Sequence, residues 1–174
     1  QFDEDNFYYA LGGIKSVGIE AISNVVKERK ENGEFKSISD FLNRVSPKDI
    51  NKLQLEGLVK AGAFDNIDNN RQALFNSIPN FILKTKNIFE NKAANQIDLF
   101  DSDEEQDNEI VLNIEDWNFE DRLSREFEAI GFFISDHPLN QFKEIFDDYK
   151  IVDYMMFNLD DDIKDANIAA TLLK

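Results

Sequence analysis

The stretch Leu11-Gly12-Gly13-Ile14-Lys15-Ser16-Val17-Gly18-Ile19-Glu20-Ala21-Ile22 joins an apolar anchor, a tight turn and the first turn of an amphipathic helix. Downstream, Ile19, Ile22, Val25 and Val26 recur at helical spacing as far as Asn32, and Gly33 follows as a stop. A helix that starts directly at a turn presents its unbonded first N–H groups outward, and such an array receives a phosphate. Small side chains at Ser16 and Gly18 would let the anion approach the main chain, and Gly18 can adopt a positive φ at little cost. Lys15 adds a cation at the bend. The expected phosphate contacts are therefore Lys15, Ser16, Val17 and Gly18.

Working outward, the periodicity predicts a mainly α protein. Ser39 and Asp40 are expected to open a short helix through Phe41 and Leu42. Ser46-Pro47-Lys48-Asp49 reads as the cap and first turn of a helix running to about Ala61, with Ile50, Leu53, Leu55, Leu58 and Val59 on its apolar face and Gly62 as its left-handed terminator. Asn69-Asn70 can cap a further helix that Pro79 interrupts or kinks. Residues 101–109, DSDEEQDNE, are too polar and acidic to offset their ordering entropy and read as an exposed, mobile linker. Helical spacing returns with Asn118 as cap, Leu123, Phe127 and Ile130 on one face, and Gly131 as stop. Pro138 opens another short helix. ANIAATLL at 166–173 reads as a strand lacking a partner, so both ends of the sequence read as interior to something longer.

The 174 residues carry a net charge of −16, which at first argues against a nucleic-acid partner. The charge is unevenly placed. From Leu11 to Ala63 nine Lys and Arg face seven Asp and Glu, whereas the other residues carry ten bases against twenty-eight acids. One end tolerates phosphate and the other repels it. The absence of cysteine removes disulfides and thiolate metal sites, and no apolar run approaches membrane-spanning length, so a cytoplasmic location without membrane contact is expected. His137 beside Asp136 invites a catalytic reading, but a lone His-Pro at a helix start suits a turn or cap. Gln106 stands where a calcium loop needs glycine, and Asp160-Asp161-Asp162 reads as a surface turn. No catalytic and no metal-binding residues are expected in this chain.

The turn at 14–18 resembles the helix-hairpin-helix DNA-binding motif, in which main-chain amides hold the backbone without reading bases. That motif usually has glycine at both ends of its turn, and Ser16 replaces the first. Val59-Lys60-Ala61-Gly62-Ala63-Phe64 followed by Asn70-Arg71 suggests a second hairpin, with Lys60, Gly62 and Arg71 as its contacts; an ordinary helix C-cap and turn is the alternative. Two such units would grip both strands across a minor groove. Between the fading helix and the acidic run lies Gln96-Ile97-Asp98-Leu99-Phe100, in which Gln suits a pocket rim while Leu and Phe suit an apolar cleft. It resembles the pentapeptide with which bacterial replication proteins bind the sliding clamp.

Taken in order, LGGIKSVG at 11–18, GEFKSISDFLNRV at 33–45, LEGLVKAGAFDNIDNNR at 55–71, QIDLF at 96–100 and EFEAIGFFISDHPL at 126–139 are similar to the alpha subunits of bacterial DNA polymerase III, the C-family replicative polymerases. The resemblance implies a tandem helix-hairpin-helix module at 1–90, a linker with the clamp peptide at 91–116, a helical segment packing on the module at 117–150, and from 151 to 174 the start of a truncated oligonucleotide-binding barrel. It implies nonspecific duplex binding and clamp binding in support of processive synthesis, with other replisome subunits as partners. It also implies a parent DNA-directed DNA polymerase, a nucleotidyltransferase using Mg2+, whose catalytic aspartates lie upstream. The competing readings are a noncatalytic adaptor of DNA repair or recombination, and a protein-protein module without DNA.

Overall fold

A computed structural model describes residues 9–93, 111–159 and 164–172. The clamp-like peptide at 96–100 and the acidic run at 101–109 lie outside the described residues. Contacts divide the chain into two compact units, Gln1–Phe132 and Phe133–Lys174. This division falls inside the helical segment expected at 117–150.

The first unit is helical. A 3-10 turn at Leu11–Gly13 leads to α1, Ile19–Asn32. Then come α2 at Ile38–Arg44, α3 at Lys52–Lys60, α4 at Arg71–Ala93 and α5 at Phe119–Ile130. Gly33 and Gly131 take positive φ just past α1 and α5, as their sequence positions predict. Asn118 caps α5 by accepting from the Asp121 amide at 2.8 Å. Asn70 caps α4 by accepting from the Ala73 amide at 2.9 Å.

Two helix starts differ from expectation. Ser37, not Ser39, caps α2: its hydroxyl accepts from the Asp40 amide at 3.0 Å, while Asp40 accepts from the Lys36 amide at 2.9 Å. Ser39 is buried inside the helix and receives the Lys84 ammonium at 2.9 Å. Likewise α3 begins after Asn51, which exchanges bonds with Gln54 in a capping box, and Ser46-Pro47-Lys48-Asp49 forms only a turn. That start leaves Leu53 exposed rather than on the apolar face. Helix α4 runs through Pro79, whose ring lies on the exposed side.

The core of this unit joins Leu42 of α2, Leu55 and Val59 of α3, and Leu74 and Ile78 of α4, none more than 2% exposed. Phe41 packs edge-on to Phe35 and to Phe64, each at 5.1 Å between ring centres. Residues 111–117 are pinned along α4 by bonds from Leu112 N–H to the Ser77 hydroxyl and from the Asn70 amide to the Ile114 carbonyl.

In the second unit a 3-10 helix at Pro138–Phe142 is followed by α6, Lys143–Asp148, and α7, Tyr154–Leu159. The His137 ring accepts from the Leu139 amide at 3.2 Å, the capping role expected of it. Asp136 accepts from the His137 amide and from the Asn140 side chain. Among the described residues of this unit none is buried. The expected strand at 166–173 shows, in its described part, only a parallel bridge from Ile151 to Asn167.

Candidate nucleic-acid interface

Ile14 and Val17 are only 4% and 7% exposed, and their burial anchors the bend between the 3-10 turn and α1. Two further contacts clamp its main chain. The Lys15 amide donates to the Ala129 carbonyl of α5 at 2.9 Å. On the other side α3 approaches at Gly57, where a Cβ would stand 2.9 Å from the Lys15 carbonyl oxygen. The turn is therefore held between two helices of its own unit, while Lys15, Ser16, Gly18, Ile19 and Glu20 face solvent.

The bend differs from the sequence reading in two respects. Gly18 has φ −70°, ordinary extended backbone, and the positive φ falls on Ser16 at 67°. Ser16 thus takes the glycine position of the motif without the glycine, at a cost of about 1–2 kcal/mol for an L residue in that region. The Val17 amide donates to the Ile14 carbonyl at 3.1 Å, and its side chain belongs to the core, so Val17 shapes the turn and offers no donor. Among the described residues, the amides of Ser16, Gly18, Ile19 and Glu20 meet no acceptor.

Helix α1 is set apart from its neighbours by this opening. Side chains cap α2, α3, α4 and α5, but Gly18 supplies no cap to α1. At α4 the place of an incoming anion is already taken, because the Asp116 carboxylate accepts from the Gln72 amide at 2.9 Å. The start of α1 keeps its partial positive charge for an outside partner, beside the exposed Lys15. Glu20 in the first turn works against this and lowers the local potential.

The expected second hairpin has different chemistry. Gly62 ends α3 at φ 76°, and the amides of Gly62 and Ala63 donate back to Val59 and Leu58, as in an ordinary C-cap. Arg71 is 3% exposed. Its guanidinium grips Asp65 through two bonds of 2.9 and 2.7 Å, meets Glu126 at 3.0 Å and donates to the Lys60 carbonyl at 3.1 Å. Burial alone would lower the Arg71 pKa, but the bonds and charges of Asp65 and Glu126 outweigh it and hold the group above its ordinary value. The Lys60 ammonium pairs with Glu128 at 2.9 Å. Lys60, Gly62 and Arg71 are therefore spent on joining α3, α4 and α5, and the C-cap alternative describes this turn.

Sequence reasoning missed Gly57, Gln54 and Glu126. Glu126 is fully buried opposite Arg71, and nothing in its local sequence marks it as a partner. A glycine inside an otherwise regular helix was the available signal for Gly57, since it often marks a close approach.

A helix-hairpin-helix motif model matches residues 1–74, which include the bend and the first three helices. Over 145 residues, 83% of this chain, the sequence is 40% identical to the DNA polymerase III subunit alpha of Rickettsia prowazekii, of which it covers 12%. Over 169 residues, 95% of this chain, it is 37% identical to that of Rickettsia conorii, covering 14% of it. The corresponding subunit of Caulobacter vibrioides is 37% identical over 131 residues, 75% of this chain and 12% of the relative. This chain belongs to the DNA polymerase III alpha-subunit family. It spans 12–14% of the length of these relatives. Within this family segment, the main-chain donors at the start of α1 are the feature whose chemistry suits a phosphate. Among the described residues no three His, Asp or Glu side chains converge as a metal site, and no helix is long and apolar enough to cross a membrane.

Proposed function

We propose that the bend from Lys15 to Glu20 holds a phosphodiester of duplex DNA, and that the chain serves as the duplex grip and clamp tether of a longer replicative DNA polymerase. The observation that carries this reading is the uncapped start of α1: solvent-facing amides at Gly18, Ile19 and Glu20 beside Lys15, within the helix-hairpin-helix match. Contacts of this kind hold the backbone and carry no base preference, as a polymerase moving along any sequence requires. The grip is single. The second turn has spent its cations and amides on internal bonds.

Gln96-Ile97-Asp98-Leu99-Phe100 is the proposed peptide for a sliding clamp, on sequence pattern alone. A tether of this type raises the local concentration of duplex and supports processivity. The oligonucleotide-binding barrel would begin near residue 151. DNA synthesis with Mg2+ is proposed for the longer polypeptide, in the bacterial cytoplasm with other replisome subunits. The described residues do not fit that ion, so the chemistry is not assigned to them. The polymerase relatives favour this reading over a repair adaptor.

Duplex affinity measured against salt tests the grip. Each neutralised phosphate adds about 0.9 to the slope of log K on log salt. A slope of about 1–2 is expected, with Gly18→Val weakening binding and leaving clamp capture unchanged. Binding that ignores salt, or equal affinity in the variant, removes the assignment. Clamp capture should fail in the double variant Gln96→Ala, Phe100→Ala, and its persistence removes the tether.

A further inference from the structure

The start of α1 has a neighbour whose chemistry the helix-hairpin-helix reading does not include. Gln54, on α3, is 9% exposed. Its side-chain oxygen accepts from the Asn51 amide at 2.7 Å, as half of the capping box. That bond fixes which way the amide group is turned: with the oxygen held by Asn51, the nitrogen must point elsewhere. It points at Gly18. The Gln54 Nε2 stands 3.6 Å from where a Gly18 Cβ would be, and no other heavy atom outside Gly18 and its chain neighbours comes within 4 Å of that point. Among the described residues this nitrogen donates to no acceptor.

The Gln54 side chain is nine-tenths buried and its oxygen is held by Asn51, while its nitrogen reaches solvent beside the start of α1, open to an acceptor arriving from outside. We propose that Gln54 is a phosphate-binding residue: its Nε2 and the main-chain amides of Gly18 and Ile19 form one cradle for a single phosphate oxygen pair. The inference rests on the proposed duplex grip and adds to it a side-chain donor supplied by a different helix. It also accounts for the small residue at position 18. A Cβ there would make ordinary van der Waals contact with the Gln54 nitrogen at 3.6 Å, and a bulkier side chain would fill the space that glycine leaves for an anion.

The α3 capping box then has two roles. It starts the helix, and it orients a donor toward α1 without the entropy loss that a free glutamine would suffer on binding. Gly57 one turn later holds the bend against the same face of α3, so the two halves of the cradle are fixed in register.

Gln54→Glu separates these roles. The carboxylate keeps an oxygen for the Asn51 amide, and glutamate suits that position of a capping box, so thermal stability should be unchanged. It replaces the donor by a negative charge facing the phosphate. Duplex affinity should fall about tenfold or more, the worth of one hydrogen bond to a charged group. The neutral Gln54→Met, which removes the donor without adding charge, should weaken binding roughly threefold to tenfold. In the unaltered chain the side-chain NH2 resonances of Gln54 should shift together with the Gly18 and Ile19 amides as duplex is added. Inorganic phosphate should produce the same shifts only at much higher concentration.

Equal duplex affinity in both variants, or Gln54 resonances that stay fixed while Gly18 and Ile19 move, overturns the role of Gln54 and leaves the duplex grip standing. No shift at Gly18 or Ile19 with duplex overturns the grip and this inference together. Shifts with inorganic phosphate but none with duplex keep the cradle and overturn its assignment to DNA.

Discussion

Replacing Gly57 by alanine sets two effects of known size against each other. In an exposed helix interior the change would stabilise by about 1 kcal/mol, because glycine is the poorer helix former. Here the new methyl carbon would stand 2.9 Å from the Lys15 carbonyl oxygen and 3.4 Å from methyl carbons of both Ile14 and Val17. The first contact is with main chain that Ala129 also holds, so it cannot be relieved by rotating a side chain. Overpacking of this kind costs about 1–3 kcal/mol. The difference predicts a protein less stable by about 0–2 kcal/mol, read by urea denaturation, with the bend pushed away from α3. Its amides would then leave their shared geometry, and duplex affinity should fall more than stability alone explains. A variant that is more stable by the full helix-propensity gain, with unchanged amide resonances at Lys15 to Gly18, would refute the proposed contact between α3 and the bend.

Arg71→Met should destabilise by about 3–5 kcal/mol, because Glu126 would keep a fully buried charge with its cation removed, and denaturation should recover part of this in the double variant with Glu126→Leu. Ser16→Gly should stabilise by about 0.5–1 kcal/mol on a thermal melt, since glycine takes φ 67° without the side-chain penalty, and should leave duplex affinity equal or higher. Glu20→Gln removes a negative charge from the first turn of α1 and should strengthen duplex binding by roughly twofold to fivefold at low salt; unchanged binding would place the DNA away from this helix start.

Signals that act within a few residues were legible in the sequence. The run from Ile19 to Asn32 with Gly33 behind it, the Asn70 and Asn118 caps and the left-handed Gly62 and Gly131 all depend on neighbours along the chain. The starts of α2 and α3 differ from the sequence reading where two capping signals stand close together, Ser37 with Ser39 and Ser46 with Asn51. Which one prevails is decided by burial: Ser39 faces the core and Lys84, and so cannot be the residue outside the helix.

The site was legible in part, for the same reason. Lys15, Ser16 and Gly18 could be placed at a phosphate-sized opening from local pattern. The positive φ falls on Ser16 rather than on Gly18, which local pattern does not reveal. Arg71 looked like a phosphate ligand because it follows a cap and carries charge. Of its two carboxylate partners, Asp65 lies six residues away but Glu126 lies 55 residues away, beyond the reach of any local reading. Gln54 faces Gly18 across two helices, and its spare donor is defined only once the Asn51 bond fixes the amide.

The most direct test of the phosphate assignment is an amide-resolved resonance titration of the chain with short duplex DNA, at two salt concentrations. Ser16, Gly18, Ile19 and Glu20 should shift most, Gly62, Ala63 and Arg71 should stay near their free positions, and all shifts should weaken as salt rises. Shifts centred on 60–71 with a silent start of α1 would contradict the assignment.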